Sequence, residues 1–331
     1  MQYRTLGQSD LEVSALAMGC WAITGDALWG PQEESDAIEA VEASLEAGIN
    51  FFDTAEGYGS GRSEALLARA LGTWRDQALI ATKVSDSHLE PDDVRAACER
   101  SLKNLRTDRI DLYQIHWPNP DVPLADTMGA LQELQAQGKV RAIGVSNFGP
   151  RDLGDFLALA RPQSNQVMYN LLTRAIEYEV QPACVEHGIG ILCYSPLAQG
   201  LLTGKFAGPE DVPDGRARSR HFSSARKMTR HGEPGCEQET FEAIAAVRQV
   251  ARRIGVSMSD LALAWCLARP GITAVIAGAR SAQQARTNAR AADIRLDPDV
   301  VKELDAATDE VKKTLGPSPD LWQASDKSRM R

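Results

Sequence analysis

Apolar residues along the chain fall into eight short runs separated by longer stretches of helical spacing. The runs cover residues 15–18, 49–52, 79–82, 112–115, 142–145, 166–169, 189–193 and 274–277. Their length and their sharp ends suit buried strands. Between them, apolar side chains recur at three and four residues, the spacing of one helix face. Such sets are Ile38, Val41 and Leu45; Leu66, Leu67 and Leu71; Val94, Cys98, Leu102 and Leu105; Met128, Leu131 and Leu134; Leu153, Phe156, Leu157 and Leu159; and Val180, Cys184 and Val185. Strands alternating with helices predict a parallel sheet. A repeat of roughly thirty residues fits closure into a (β/α)8 barrel better than an open sheet.

The remaining segments frame this barrel. Residues 3–6 and 11–13 flank Gly7-Gln8-Ser9-Asp10 and predict a β-hairpin ahead of it. Residues 206–238 carry many glycines and prolines around a basic middle, and they predict a mobile flap over the barrel mouth. Extra C-terminal helices follow, at about 238–254, after the capping sequence Ser257-Met258-Ser259-Asp260, and around Val300, Leu304 and Ala307. The tail beyond Leu315 is polar and predicts a frayed end, with Leu321 and Trp322 able to dock. Residues 1–331 thus read as one barrel domain with a long loop over its mouth.

Charge and composition narrow the partners. A net charge of −9 and a pI near 5.2 argue against nucleic acid or an anionic membrane surface. No stretch approaches a membrane span, and residues 1–7 lack the apolar core of a signal peptide. The six cysteines are scattered without a CxxC, which suits free thiols in a reducing, cytoplasmic compartment. The five histidines show no metal-binding spacing, so no metal is expected. A small molecule is the expected partner, and homo-oligomerisation stays open.

Chemistry enters at the strand ends, where barrels of this kind build their sites. Asp53, Lys83 and His116 each close a predicted strand or follow one, and Tyr58 lies on the glycine-rich loop after Asp53. Singly, each has a plain structural reading: a capping carboxylate, a packed phenol, a strand-end lysine, a hydrogen-bonded histidine. Together they describe a tuned acid. An ammonium beside a phenol lowers its pKa from about 10. Asp53 supplies the counter-charge for Lys83, and His116 can orient a carbonyl oxygen. Such a set hands a proton to an oxygen gaining negative charge, so electrons must come from elsewhere. The familiar nucleotide motifs fail: Arg62 breaks GxGxxG after Gly57 and Gly59, and Gln199 breaks a Walker A before Gly204-Lys205. A better anion site is the turn Ala277-Gly278-Ala279-Arg280-Ser281, opening a helix at Ser281. Arg280 there would grip an adenosine 2′-phosphate; the competing reading is a plain N-capped helix with an exposed arginine. Trp21, Trp29 and Trp117 follow strands one and four and would wall a substrate pocket.

With these motifs, and with Leu112 to Pro118, Gly144 to Phe148, Tyr194 to Leu197 and Gly200 to Lys205, the chain closely resembles the aldo-keto reductases, most of all the bacterial branch related to potassium-channel β-subunits. The resemblance runs from Tyr3 to about Thr308. It implies NADPH-dependent reduction of aldehydes or ketones, with NADH as an alternative cofactor. Asp53, Tyr58, Lys83 and His116 match the catalytic tetrad. Ser146, Asn147 and Gln166 match the residues holding the nicotinamide carboxamide, and Tyr194 the ring stacked on the nicotinamide. Gly19, Trp21 and Ser195 join the implied cofactor site. Leu197, Gly200 and Lys205 resemble the pyrophosphate lining, and Gly278, Arg280, Gln284 and Asn288 the adenosine end. Trp21, Trp29, Tyr58, His116 and Trp117 are the implied substrate contacts. Two other readings follow from the same resemblance: an NADPH-binding redox-sensing module, and a polyol, inositol or sugar dehydrogenase working oxidatively with NAD(P).

Overall fold

The computed structural model describes residues 1–25 and 29–331. β1 (Tyr3–Thr5) and β2 (Glu12–Ser14) pair antiparallel in the expected hairpin. Eight further strands are described: β3 (Leu16–Gly19), β4 (Phe51–Asp53), β5 (Leu79–Val84), β6 (Ile110–Ile115), β7 (Val140–Ser146), β8 (Ser164–Met168), β9 (Gly190–Tyr194) and β10 (Ile272–Gly278). They pair in parallel in sequence order, and β10 returns to β3 to close the barrel. Each coincides with one of the eight apolar runs, shifted by a residue or two. Ile49 stays outside β4, and Lys83 lies inside β5 rather than at its end.

Helices α1 (Glu34–Glu46), α2 (Arg62–Leu71), α3 (Pro91–Leu105), α4 (Leu124–Ala136), α5 (Pro150–Leu157) and α6 (Val180–Glu186) follow the first six barrel strands in turn. α7 (Glu237–Ile254) and α8 (Met258–Leu267) lie before β10, α9 (Ala282–Arg290) and α10 (Pro298–Leu315) after it. Their ends are chemically marked. Proline opens α3, α5 and α10, where its missing N–H costs nothing. Ser257 Oγ accepts from the Asp260 amide at 3.0 Å, but Asp260 Oδ1 finds no return partner among the described residues. The expected capping box is therefore half made.

Strand alternation divides the core in two. Phe52, Ile80, Tyr113 and Ile143 point outward to the helices. Ala17, Phe51, Ala81, Leu112, Ala142, Leu192 and Ala274 point inward and fill the barrel, joined at the base by Leu6, Leu11 and Val13 of the hairpin. Gly7 lets the hairpin seat closely: its φ is +57°, and a Cβ there would stand 2.3 Å from the Gln163 carbonyl oxygen.

The stretch before α7 holds no strand and no α-helix, as its composition suggests, apart from a 3-10 turn at Pro209–Asp211. It is nevertheless anchored by buried Val212, Ala217 and Phe222. Arg220, also buried, pairs with Glu233 at 2.7 Å and donates to the Leu315 carbonyl at 2.8 Å. The tail departs from its expected fraying. Leu321 and Met330 are buried, and fully enclosed Asp320 grips Arg329 through both oxygens at 2.8 and 3.0 Å. Arg331 reaches Asp152 on α5. Two apolar side chains and one buried carboxylate outweigh a polar composition. The cysteines are buried free thiols. Among the described residues no helix is long and apolar enough to cross a membrane.

Candidate active site

Two residues beyond the inward apolar layer, the same alternation turns Gly19, Asp53, Lys83, Gln114, Gly144 and Tyr194 into the barrel mouth, and on β10 Gly278 follows four residues after Ala274. Two residues further, His116 and Ser146 keep that phase. Register ties them sideways: Gly19 pairs with Asp53 and Gly278, Lys83 with Gln114, Ser146 with Gln166. Polar groups therefore gather on the mouth because each strand carries its chemistry in phase with its apolar interior.

Lys83 has no exposed surface. Its ammonium donates to Asp53 Oδ1 at 2.7 Å and to the Thr54 carbonyl at 2.8 Å. Gln166 Nε2 donates to the other Asp53 oxygen at 2.7 Å, so both carboxylate oxygens are held. The Lys83 nitrogen lies 5.1 Å from the Tyr58 ring centroid. Burial alone would pull the Lys83 pKa down, but Asp53 and Tyr58 together hold it above its ordinary value. The half-buried Tyr58 phenol does not follow the expected fall. Burial pushes its pKa up, and this outweighs the downward pull of Lys83. His116 meets the Tyr58 ring edge to face at 5.8 Å. Burial and the Lys83 charge push its pKa down to about 3, so its ring is neutral at pH 7.

The residues expected around a nicotinamide are contiguous. Tyr194 OH donates to Asn147 Oδ1 at 2.9 Å, and Asn147 Nδ2 donates to the His116 carbonyl at 3.0 Å. Ser146 Oγ donates to the Gln166 carbonyl at 3.0 Å. Asn147, Ser195, Ala198 and Gln199 all have positive φ, at 61°, 52°, 47° and 54°. Four non-glycine residues in this costly region, clustered after β7 and β9, mark a backbone shaped for something other than its own stability. Gly200, between Leu197 and Lys205, lies under two cations: a Cβ there would meet Lys205 Nζ at 2.7 Å and Arg216 Nη1 at 3.5 Å. Among the described residues no carboxylate pairs with either, and Lys205 is pulled down by burial and by Arg216. This donor set suits a pyrophosphate. Gly278 is exposed, its carbonyl taking Asn288 Nδ2 at 3.1 Å, while Gln284 Oε1 accepts from the Arg280 amide at 2.8 Å. The Arg280 guanidinium is folded onto residues 29–32.

Trp21 stacks on Tyr58 at 5.7 Å and meets Trp29 edge to face at 5.5 Å. The aromatic wall thus reaches the proposed acid directly. Trp117 carries the Arg329 guanidinium 3.8 Å above its ring. Sequence reasoning missed this tail contact and the Arg218 guanidinium 5.0 Å above the Trp322 ring. It also missed Gln114, whose buried amide nitrogen has no partner among the described residues. The strand phase would have found Gln114; Leu321 and Trp322 signal that the tail can dock, and nothing local signals the Arg329 contact. Of the basic loop residues, Arg220 and Arg226 are committed to Glu233 and Glu237, Arg218 lies over the Trp322 ring and Arg216 over the Trp29 ring.

Comparison with known proteins fits this geometry. The aldo/keto reductase family model matches residues 15–309. The chain is 36% identical over 299 residues to aldo-keto reductase YhdN of Bacillus subtilis (strain 168), covering 86% of each protein. It is 31% identical to the NADH-specific methylglyoxal reductase of Escherichia coli (strain K12), covering 88% of this chain and 93% of that one. It is 30% identical to a probable voltage-gated potassium channel subunit beta of Oryza sativa subsp. japonica, covering 92% and 96%. A solved aldo-keto reductase from Klebsiella pneumoniae in complex with NADPH aligns with a TM-score of 0.74 at 28% identity, over 97% of each chain.

Proposed function

Because the chain belongs to the aldo/keto reductase family, whose members are NAD(P)H-dependent oxidoreductases, we propose that it reduces aldehydes or ketones to alcohols, with NADPH preferred, NADH accepted, and Tyr58 as the proton donor. The observation that carries this reading is the buried Lys83–Asp53 pair against the Tyr58 phenol, with neutral His116 across from it. A nicotinamide held at the mouth would supply the hydride for the carbonyl carbon. His116 donates a ring N–H to the carbonyl oxygen and fixes its direction. Tyr58, kept protonated by burial, gives its proton to that oxygen as negative charge develops there. Lys83 then stabilises the phenolate left behind, and Asp53, steadied by Gln166, keeps Lys83 charged. Trp21, Trp29 and Trp117 shut water out of the mouth. Ser146, Asn147, Gln166 and Tyr194 would hold the nicotinamide, Lys205 and Arg216 the pyrophosphate, and Gly278, Arg280 and Asn288 the adenosine. The Klebsiella structure with NADPH supports the first cofactor, and the E. coli NADH-specific relative keeps the second open.

Tyr58→Phe tests the assignment. Turnover of a carbonyl substrate should fall by at least ~100-fold, while NADPH affinity, read by fluorescence titration, should hold. A variant that keeps most of its rate removes Tyr58 from the reaction. The rice relative's name favours a second reading, a cofactor-loaded regulatory subunit. A panel of carbonyl compounds with steady-state NADPH oxidation separates the two, since a pure sensor turns over none of them.

A further inference from the structure

Arg280 does not reach into solvent. Its Nε donates to Gln32 Oε1 at 2.6 Å, its Nη1 to the Trp29 carbonyl at 2.6 Å, and its Nη2 to the Pro31 carbonyl. Gln32 Nε2 answers by donating to the Arg280 carbonyl at 3.0 Å. The segment that supplies these acceptors is itself tightly folded: a Cβ on Gly25, whose φ is +60°, would stand 2.8 Å from the Gln32 amide nitrogen. Beyond it, Trp29 contacts Trp21, and Trp21 stacks on Tyr58.

A guanidinium has five N–H groups in a rigid plane. Three are directed to residues 29–32, so each terminal nitrogen keeps one. With one N–H left on each terminal nitrogen, the guanidinium can still donate to the oxygens of a phosphate. A free arginine would lose much of its rotamer freedom on binding; this one has already lost it. We infer that Gln32 is a positioning residue for Arg280, and that residues 29–32 join the phosphate-reading end of the cofactor site to the aromatic wall of the substrate site. Linkage makes the effect reciprocal. A 2′-phosphate on Arg280 secures the segment that carries Trp29, and a ligand without that phosphate does not. The two cofactor forms would then meet substrate with differently ordered walls.

This inference rests on the reading that Arg280 meets the adenosine 2′-phosphate, and the experiment separates the two. The affinities of 2′,5′-ADP and of ADP are measured by calorimetry on the wild-type chain, Arg280→Ala and Gln32→Ala. Amide exchange over residues 29–33 is followed with each ligand. Arg280→Ala should abolish the preference for 2′,5′-ADP; if the preference survives, the underlying reading fails. Gln32→Ala should cut the preference by roughly three- to tenfold, the worth of one hydrogen bond, with ADP affinity unchanged. In the wild type, 2′,5′-ADP should slow exchange over residues 29–33 and ADP should not. A general loosening of the fold would weaken both ligands alike. If Arg280→Ala loses the preference but Gln32→Ala keeps it, or if the wild-type segment exchanges equally with both ligands, the coupling is overturned and the phosphate contact stands.

Discussion

At the scale of single residues, the Lys83 ammonium is a costly object, enclosed without exposed surface and compensated by one carboxylate and one carbonyl. Such a pair is weak evidence for stability as a pair, but breaking it strands a charge. Asp53→Ala should therefore destabilise the fold by about 3–5 kcal/mol and abolish turnover. Adding Lys83→Met should restore most of the stability, measured by denaturant unfolding, and none of the activity. If the double variant stays as unstable as the single one, the loss came from packing rather than charge. The pH profile follows from the same residues. Reduction requires a protonated Tyr58 and a neutral His116. Burial holds the first above its ordinary 10, and the second titrates near 3. The rate kcat/KM should thus run flat across neutral pH, with no limb near the usual histidine pKa of about 6.5. A limb there would show His116 charging in the working range.

At the scale of elements, the barrel strands were legible because two independent constraints coincide in each. Phe51 must face the interior and Phe52 the helices, and Asp53 then falls inward at the mouth. The tetrad was legible for the same reason. The environment of its phenol was not, since the balance of burial against charge depends on depth that no sequence spacing encodes. The tail and the long stretch before α7 were hidden for another reason. Their order hangs on a few long-range contacts, above all Arg220, which spans Glu233, the Leu315 carbonyl and, at 3.4 Å, the Ser318 carbonyl. The Arg220 amide also donates to the Leu321 carbonyl at 2.9 Å. Local composition calls for coil in both segments, which is correct for backbone type; it marks Leu321 and Trp322 as able to dock but not what they dock against. Arg220→Met should release the two together: limited proteolysis should cut within residues 206–236 and 316–331 at the same enzyme dose while the barrel survives. Cleavage of one segment alone would mean that each is anchored on its own.

At the scale of the whole molecule, the chain's response to acid collects its buried titrations. Glu177, just past β8, accepts from Tyr169 OH at 2.6 Å, from Arg174 at 2.9 Å and from Lys312 of α10 at 2.7 Å. Arg174 also bonds Asp309, and Arg269 joins Glu177 to Asp305, so the segment after β8, the turn after α8 and α10 share one ionic node. Burial alone would raise the Glu177 pKa, but these donors bring it from 4.5 down to about 2. A carboxylate depressed by folding contributes its full stability above its unfolded pKa and loses it as pH falls through the folded one. The window here runs from about 4.5 to about 2, and the shift corresponds to on the order of 3 kcal/mol. His116 and His221, depressed to about 3 and about 4, act earlier: their contribution declines as pH falls below 6.5. Acid should therefore erode the fold in two overlapping stages, histidines first. Glu177→Gln isolates the second. Its stability deficit against the wild type, measured by urea unfolding at steps from pH 7 to pH 3, should be largest near neutrality. It should shrink below about pH 4.5, because there the unfolded wild-type carboxyl takes up a proton that the folded one, held down to about 2, does not. A deficit that stays constant down the whole series would mean that the node holds by shape and hydrogen bonding, and that its charge is incidental.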